Sequence, residues 1–185
     1  MSQLLSADNS ILLLVDIQTR LLSAMPEEAA KNMTEFSTSL TSAANLLDVP
    51  VFLTEQYPKG LGSTIDSINT VLNNSTQRFE KTAFSCCAAE GFMAALEQSG
   101  RKQIIIAGQE AHVCILQSAL ELMQQGYQVH VLEDVTCSRS AENKFYALQR
   151  MQQAGASISN FESVLFEWLK DAQHPNFSDI SQLLR

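Results

Sequence analysis

Two uninterrupted apolar runs constrain this chain more than any other feature. Ile11-Leu12-Leu13-Leu14-Val15 ends at Asp16, and Ile104-Ile105-Ile106-Ala107 ends at Gly108. Neither alternates apolar with polar residues, so each suits a strand covered on both faces, as in a parallel sheet. Further short strands are expected at residues 51–54, 78–81, 128–133 and 156–159. Between them lie stretches with helical spacing. Residues 26–47 place Phe36, Leu40, Ala43, Ala44 and Leu47 three or four apart, and Asp48-Val49-Pro50 breaks the pattern. Helices are also expected over 88–98, from about Val113 to a stop at Gly126, and over 140–153. The tail from Phe161 to Arg185 reads as two helical pieces split by His174-Pro175-Asn176, and residues 57–62 read as a loop.

Strands alternating with helices imply βαβ units. The expected fold is therefore α/β: a three-layer α/β/α sandwich with a mostly parallel central sheet. With 185 residues and neither repeat nor linker, the chain is expected to form one domain over residues 1–185. Ligands of such folds sit at the carboxyl ends of the strands. That rule selects Asp16, Lys81 and the segment from Gly108 to Cys114.

Composition narrows the partners. Twelve Lys and Arg stand against 20 Asp and Glu, a net charge of −8, and no basic stripe appears. Nucleic acid and anionic membrane surfaces are not expected partners. No run reaches the roughly 18 apolar residues of a membrane span. Residues 1–8 lack the basic start of a secretory signal, so a cytoplasmic location is expected. The four cysteines, Cys86, Cys87, Cys114 and Cys137, form no CxxC and have no zinc-ligand spacing with histidine. Free thiols are expected, with no metal and no cofactor.

Cys114 follows Gly108 by six residues, near a helix N-terminus, where the helix dipole favours a thiolate. A small buried packing residue is the plainer alternative. Asp16 could cap a turn, and Lys81 could be an ordinary solvated lysine. Together on one edge, however, an acid, an amine and a thiol support nucleophilic catalysis. The acid takes the thiol proton, the ammonium holds the negative charges, and the thiolate attacks a carbonyl.

The sequence resembles the isochorismatase-like cysteine hydrolases, and within them the small isochorismatase-domain-containing proteins. The resemblance rests on Leu13-Leu14-Val15-Asp16-Ile17-Gln18, on Lys81-Thr82-Ala83-Phe84-Ser85, and on residues 105–114 with their Gly-x-Glu-Ala-x-x-Cys stretch. Gly126-Tyr127-Gln128-Val129 and Glu133-Asp134-Val135 continue it. It implies Asp16 as general base and later acid, Lys81 as the charge holder and Cys114 as the nucleophile. It further implies an oxyanion hole from the backbone N–H groups of Glu110 and Cys114, a cis Gln109–Glu110 peptide, and a homo-oligomer, dimer or tetramer. Two departures matter. Glu110-Ala111 replaces the small residue and Thr of many members, and a carboxylate there could alter substrate choice. The stretch Thr54-Glu55-Gln56-Tyr57-Pro58-Lys59-Gly60 lacks the histidines of the metal-binding nicotinamidases. The implied activity is metal-independent cleavage of a C–N amide-type bond in a small molecule, through a thioester on Cys114. A catalytically silent oligomeric scaffold that retains the three residues is the alternative, and a thiol-redox role for Cys114 is a weaker third.

Gln18, Tyr57, Phe84 and His112 are candidate substrate contacts. Gln18 could instead orient Asp16, and His112 could make structural hydrogen bonds. His130 is expected in the core and His174 at a turn. Packing is expected for Cys86, Cys87 and Cys137, although one of the first two could face the site. Trp168 lies on an apolar helix that either covers the sheet or forms a subunit contact.

Overall fold

The computed structural model describes residues 4–184; the expectations that touch residues 1–3 and 185 lie outside the described residues. The chain runs β1 (Ser10–Val15), α1 (Thr19–Leu22), α2 (Glu27–Leu46), β2 (Val51–Gln56), α3 (Pro58–Leu61), α4 (Asp66–Asn69) and β3 (Gln77–Lys81). It continues with α5 (Phe92–Ser99), β4 (Gln103–Gln109), α6 (Leu116–Gln124), β5 (Gln128–Cys137), α7 (Ala141–Gln153), β6 (Ser157–Ser159), α8 (Phe161–Leu169) and α9 (Phe177–Gln182).

The six strands form one sheet in the order β3-β2-β1-β4-β5-β6, and every neighbouring pair is parallel. The two apolar runs are its central pair, with Ile11 opposite Ile104 and Leu14 opposite Ala107. Their residues alternate between two cores. Leu12, Leu14, Leu53 and Ile105 pack under α2 and α8, while Ile11, Leu13, Phe52, Ile104 and Ile106 pack under α5 and α6. Burial on both faces explains why these strands contain no polar alternation. The expected three-layer α/β/α architecture is observed.

Strand order reverses between β1 and β4. The crevice of an open parallel sheet lies at such a switch point, beyond the carboxyl ends of the strands. Asp16 follows β1 there, with φ +53, and Gln109–Glu110 ends β4 with a cis peptide bond, as the resemblance implied. Gly108 lets the two strands approach: its φ is +121, and a Cβ there would run into the Val15 carbonyl.

Several boundaries differ from expectation. The helix expected over 88–98 begins only at Phe92: a short 3-10 turn at Cys86–Ala88 ends where Ala89 turns extended, and Gly91 with φ +77 leads into α5. Residues 58–61, expected as loop, make one helical turn. The helix expected from Val113 begins at Leu116; Ala111–Ile115 form a wider turn in which Ile115 N–H donates to the Glu110 carbonyl at 3.2 Å. β5 runs four residues past Glu133, because its register against β4 shifts between Ile106 and Gly108 and pairing resumes at Thr136. Asp134, within that irregular stretch, accepts the Phe161 N–H at the start of α8 at 3.0 Å. Trp168 covers the sheet: it is buried, and its indole N–H donates to Ser10 Oγ at 2.9 Å.

Candidate active site

β1, β3 and the turn after β4 deliver Asp16, Lys81 and Cys114 to one place. Lys81 Nζ donates to Asp16 Oδ2 at 2.7 Å, and both side chains are 0% exposed. Lys81 also donates to Gln56 Oε1 at 2.7 Å. The other carboxylate oxygen, Asp16 Oδ1, accepts from Thr54 Oγ1 at 2.7 Å. The Cys114 thiol meets Asp16 both as a hydrogen-bond partner and as a charge, and meets Lys81 as a charge. The three groups selected from strand ends are therefore one buried cluster.

Its electrostatics correct one expectation. Burial, then Asp16, pushes the Cys114 pKa well above the usual thiol value, and Lys81 only partly opposes them. Dipole and ammonium do not leave a resting thiolate, because desolvation of the anion outweighs both. The Lys81 ammonium is opposed by burial, yet Asp16 and then Cys86 and Cys114 more than reverse that effect and raise its pKa. At neutral pH the lysine is charged and the thiol holds its proton.

The remaining candidates separate. Gln18 is completely buried. Its Oε1 accepts the Gln56 N–H at 2.7 Å, and its Nε2 donates to the Gln56 and Gly62 carbonyls at 3.0 and 2.6 Å. That amide joins the loop after β1 to the end of β2, beside Asp16. Glu110 is likewise bonded: Oε2 accepts from the Arg139 N–H at 2.9 Å, and Oε1 pairs with Nη2 at 3.1 Å. Its carboxylate is held by Arg139. His112 sits with Nδ1 3.1 Å from Ser138 Oγ and Nε2 3.5 Å from Asn143 Nδ2, so structural hydrogen bonds account for it. Tyr57 and Phe84 are about half exposed, at 54% and 52%. They lie in the loops after β2 and β3, and the Tyr57 N–H donates to the Lys81 carbonyl at 2.9 Å.

His130 is buried in β5, and burial lowers its pKa, as befits a neutral core imidazole. The thiols of Cys86 and Cys137 are pushed up to about 12, first by burial, and that of Cys87 to about 11 by the same cause. Cys87 lines a cavity of about 600 Å³ with Tyr127 and Lys102, and Cys137 borders another of about 430 Å³ beneath α2. Neither cavity is lined by Asp16, Lys81 or Cys114. Among the described residues, no group of three His, Cys, Asp or Glu side chains is placed to hold a metal ion.

Sequence reasoning missed Thr54 and Gln56, which both touch this cluster, and left open whether Cys86 or Cys87 faces it; Cys86 does. Thr54 and Gln56 were legible as polar residues at the end of an apolar strand, the same rule that selected Asp16.

A six-stranded all-parallel sheet flanked by helices, shared with the solved structures below, defines the isochorismatase-like fold class. Residues 10–163 match the Isochorismatase domain, and the chain belongs to that family of hydrolases. It is 38% identical over 183 residues to Isochorismatase family protein 1A of Dictyostelium discoideum, covering 97% of this chain and 87% of that one. The structure is similar to the MAR1 ribonuclease of Caenorhabditis elegans, with a TM-score of 0.92, 33% identity and coverage of 97% and 91%. It is also similar to the YcaC product of Escherichia coli, an octameric hydrolase of unknown specificity, with a TM-score of 0.87, 25% identity and coverage of 97% and 88%. Among the described residues, no helix is long and apolar enough to cross a membrane.

Proposed function

We propose that this protein is a metal-independent cysteine hydrolase that cleaves a C–N amide-type bond in a small molecule through a thioester on Cys114. The observation that carries the proposal is the fully buried 2.7 Å pair of Lys81 and Asp16 beside the Cys114 thiol. A buried ion pair contributes little net stability, because desolvating both charges offsets their attraction. Chemistry is a better reason for this one to exist.

Asp16 takes the Cys114 proton as the sulfur attacks the substrate carbonyl. The backbone N–H groups of Glu110 and Cys114 stabilise the oxyanion. Asp16 then passes the proton to the leaving nitrogen, the C–N bond breaks, and the amine departs. Water next gives a proton to Asp16 and attacks the thioester. The carboxylic acid leaves, and Cys114 recovers its proton from Asp16. Lys81 keeps its positive charge throughout and steadies whichever group is negative. Tyr57 and Phe84 form an aromatic rim for the substrate.

The ribonuclease name of the Caenorhabditis elegans neighbour does not favour RNA as the substrate here. A net charge of −8 repels a polyphosphate, and small amides carry no such penalty. The octameric Escherichia coli neighbour supports a homo-oligomer for this chain.

The test is turnover of a panel of small amides, with intact-mass detection of an acyl-enzyme. Cys114→Ala is expected to abolish both turnover and the adduct. Full activity in that variant would sink the nucleophile assignment. Silence across a broad panel, with an inert Cys114 in the native protein, would favour the silent scaffold.

A further inference from the structure

Cys86 is a buried thiol that the proposed chemistry leaves idle. Its Sγ lies 3.7 Å from Thr54 Oγ1, and Thr54 Oγ1 donates to Asp16 Oδ1 at 2.7 Å. Thr54 is completely buried and stands beside Asp16 in the sheet, where the Asp16 N–H donates to the Thr54 carbonyl at 3.1 Å. A hydroxyl has one proton and two lone pairs, so its direction is set by its neighbours. The Cys86 thiol keeps its proton, because burial and then Asp16 push its pKa up to about 12. As a donor, it occupies the acceptor side of Thr54 and leaves the threonine proton facing Asp16. Cys86 is itself fixed. Its N–H donates to Ser118 Oγ at 2.8 Å, and that hydroxyl donates to the Cys114 carbonyl at 2.7 Å. One serine thus ties the Cys86 turn to the turn that presents the nucleophile.

On the reading that Asp16 takes the Cys114 proton, we propose that Thr54 is a positioning residue for Asp16, pinned by Cys86, and that its hydroxyl sets how readily the carboxylate accepts that proton. The ionisable groups around Asp16 are Lys81 at the end of β3, Cys86 in the turn beyond it, and Cys114 in the turn after β4. Thr54 is uncharged, so removing its hydroxyl leaves that set of charges in place. What is lost is a hydrogen bond that favours the ionised carboxylate. The carboxylate that takes the Cys114 proton is then less well stabilised as an anion.

The experiment is the rate of Cys114 alkylation by iodoacetamide against pH, with the adduct located by peptide mass. Thr54→Val keeps the branched shape and is expected to move the acid limb up by about one pH unit, the scale of one lost hydrogen bond to a charged group. Thr54→Ser keeps the hydroxyl and is expected to leave the limb at its native position. Thr54→Ala loses the same hydroxyl and replaces the valine variant if that one does not fold. Cys86→Ala frees the threonine hydroxyl to rotate and is expected to give a smaller shift in the same direction; no shift there removes Cys86 from the proposal. A merely structural Thr54 would lower stability or the plateau rate without moving the limb. Asp16→Asn separates the two readings. It is expected to erase the acid limb and leave a single rise at alkaline pH. A limb that survives Asp16→Asn overturns the underlying acid–thiol chemistry. A limb that Asp16→Asn erases but neither Thr54→Val nor Thr54→Ala moves overturns the role of Thr54 alone.

Discussion

Lys81 is under opposite pressures. Burial disfavours its charge, while the carboxylate and two thiols around it favour that charge and prevail. Removing the ammonium leaves the Asp16 carboxylate buried without its counter-charge and leaves any Cys114 thiolate without one as well. Lys81→Ala is therefore expected to slow alkylation of Cys114 near neutral pH by about tenfold or more, the effect of at least one pKa unit at the thiol. Rates followed by peptide mass for each cysteine check this, with Cys114 expected to react first in the native protein. Cys86 and Cys137 are almost completely buried, so Cys87, the half-buried one, is the competitor on exposure. Alkylation of Cys114 in Lys81→Ala at the native rate would show that the charge arrangement is wrong. At this scale the strand-end rule and residue chemistry made Asp16, Lys81 and Cys114 legible. The state of the thiol was not legible, because the cost of an anion depends on how completely other residues exclude water from it.

At the scale of elements, the site depends on how closely β1 and β4 run. Val15 pairs with Gly108, and the next residues of the two strands are Asp16 and Gln109, whose Nε2 donates to the Asp16 carbonyl at 3.0 Å. A side chain at Gly108 meets two penalties: the φ of +121 disfavours any L residue, and the new Cβ collides with the Val15 carbonyl. Gly108→Ala is expected to cost about 2–4 kcal/mol of stability. Urea denaturation checks that value, and Cys114 alkylation is expected to slow in the same variant because the two strand ends are forced apart. A midpoint equal to that of the native protein would show that β4 can move without harm. Strand identities were legible from apolar runs, and helix positions from 3–4 spacing. The extension of β5 was not, because Thr136 and Cys137 pair only after a register shift against β4 that local pattern does not encode. Nor was the late start of α6, where the wide turn at Ala111–Ile115 is set by what the Glu110 carbonyl accepts.

At the scale of the whole molecule, large apolar side chains remain outside. Phe84, Phe145, Tyr146 and Phe166 are each more than two-fifths exposed, and Phe145 stacks edge-on against Tyr146 with ring centroids 5.5 Å apart. An exposed aromatic pair such as Phe145 and Tyr146 is common where subunits meet. Light scattering at micromolar concentration is expected to give a multiple of 20.4 kDa, a dimer or larger. A 20.4 kDa species alone would contradict the oligomer.

Sequence by itself determined the kinds of element, the parallel three-layer architecture and the chemical types at the strand ends. Those follow from local periodicity and from the general place of ligands in parallel sheets, so neighbouring residues suffice to read them. Only the tertiary structure decided the partners of those groups. Thr54 reaches Asp16 across 38 residues of chain and Lys81 across 65. Gln18 proved to bond the backbone of Gln56, and Glu110 to be held by Arg139, because folding placed unsatisfied donors beside them. The protonated Cys114 was decided the same way. Desolvation belongs to the packed surroundings of a group, and those surroundings come from residues distant in the chain.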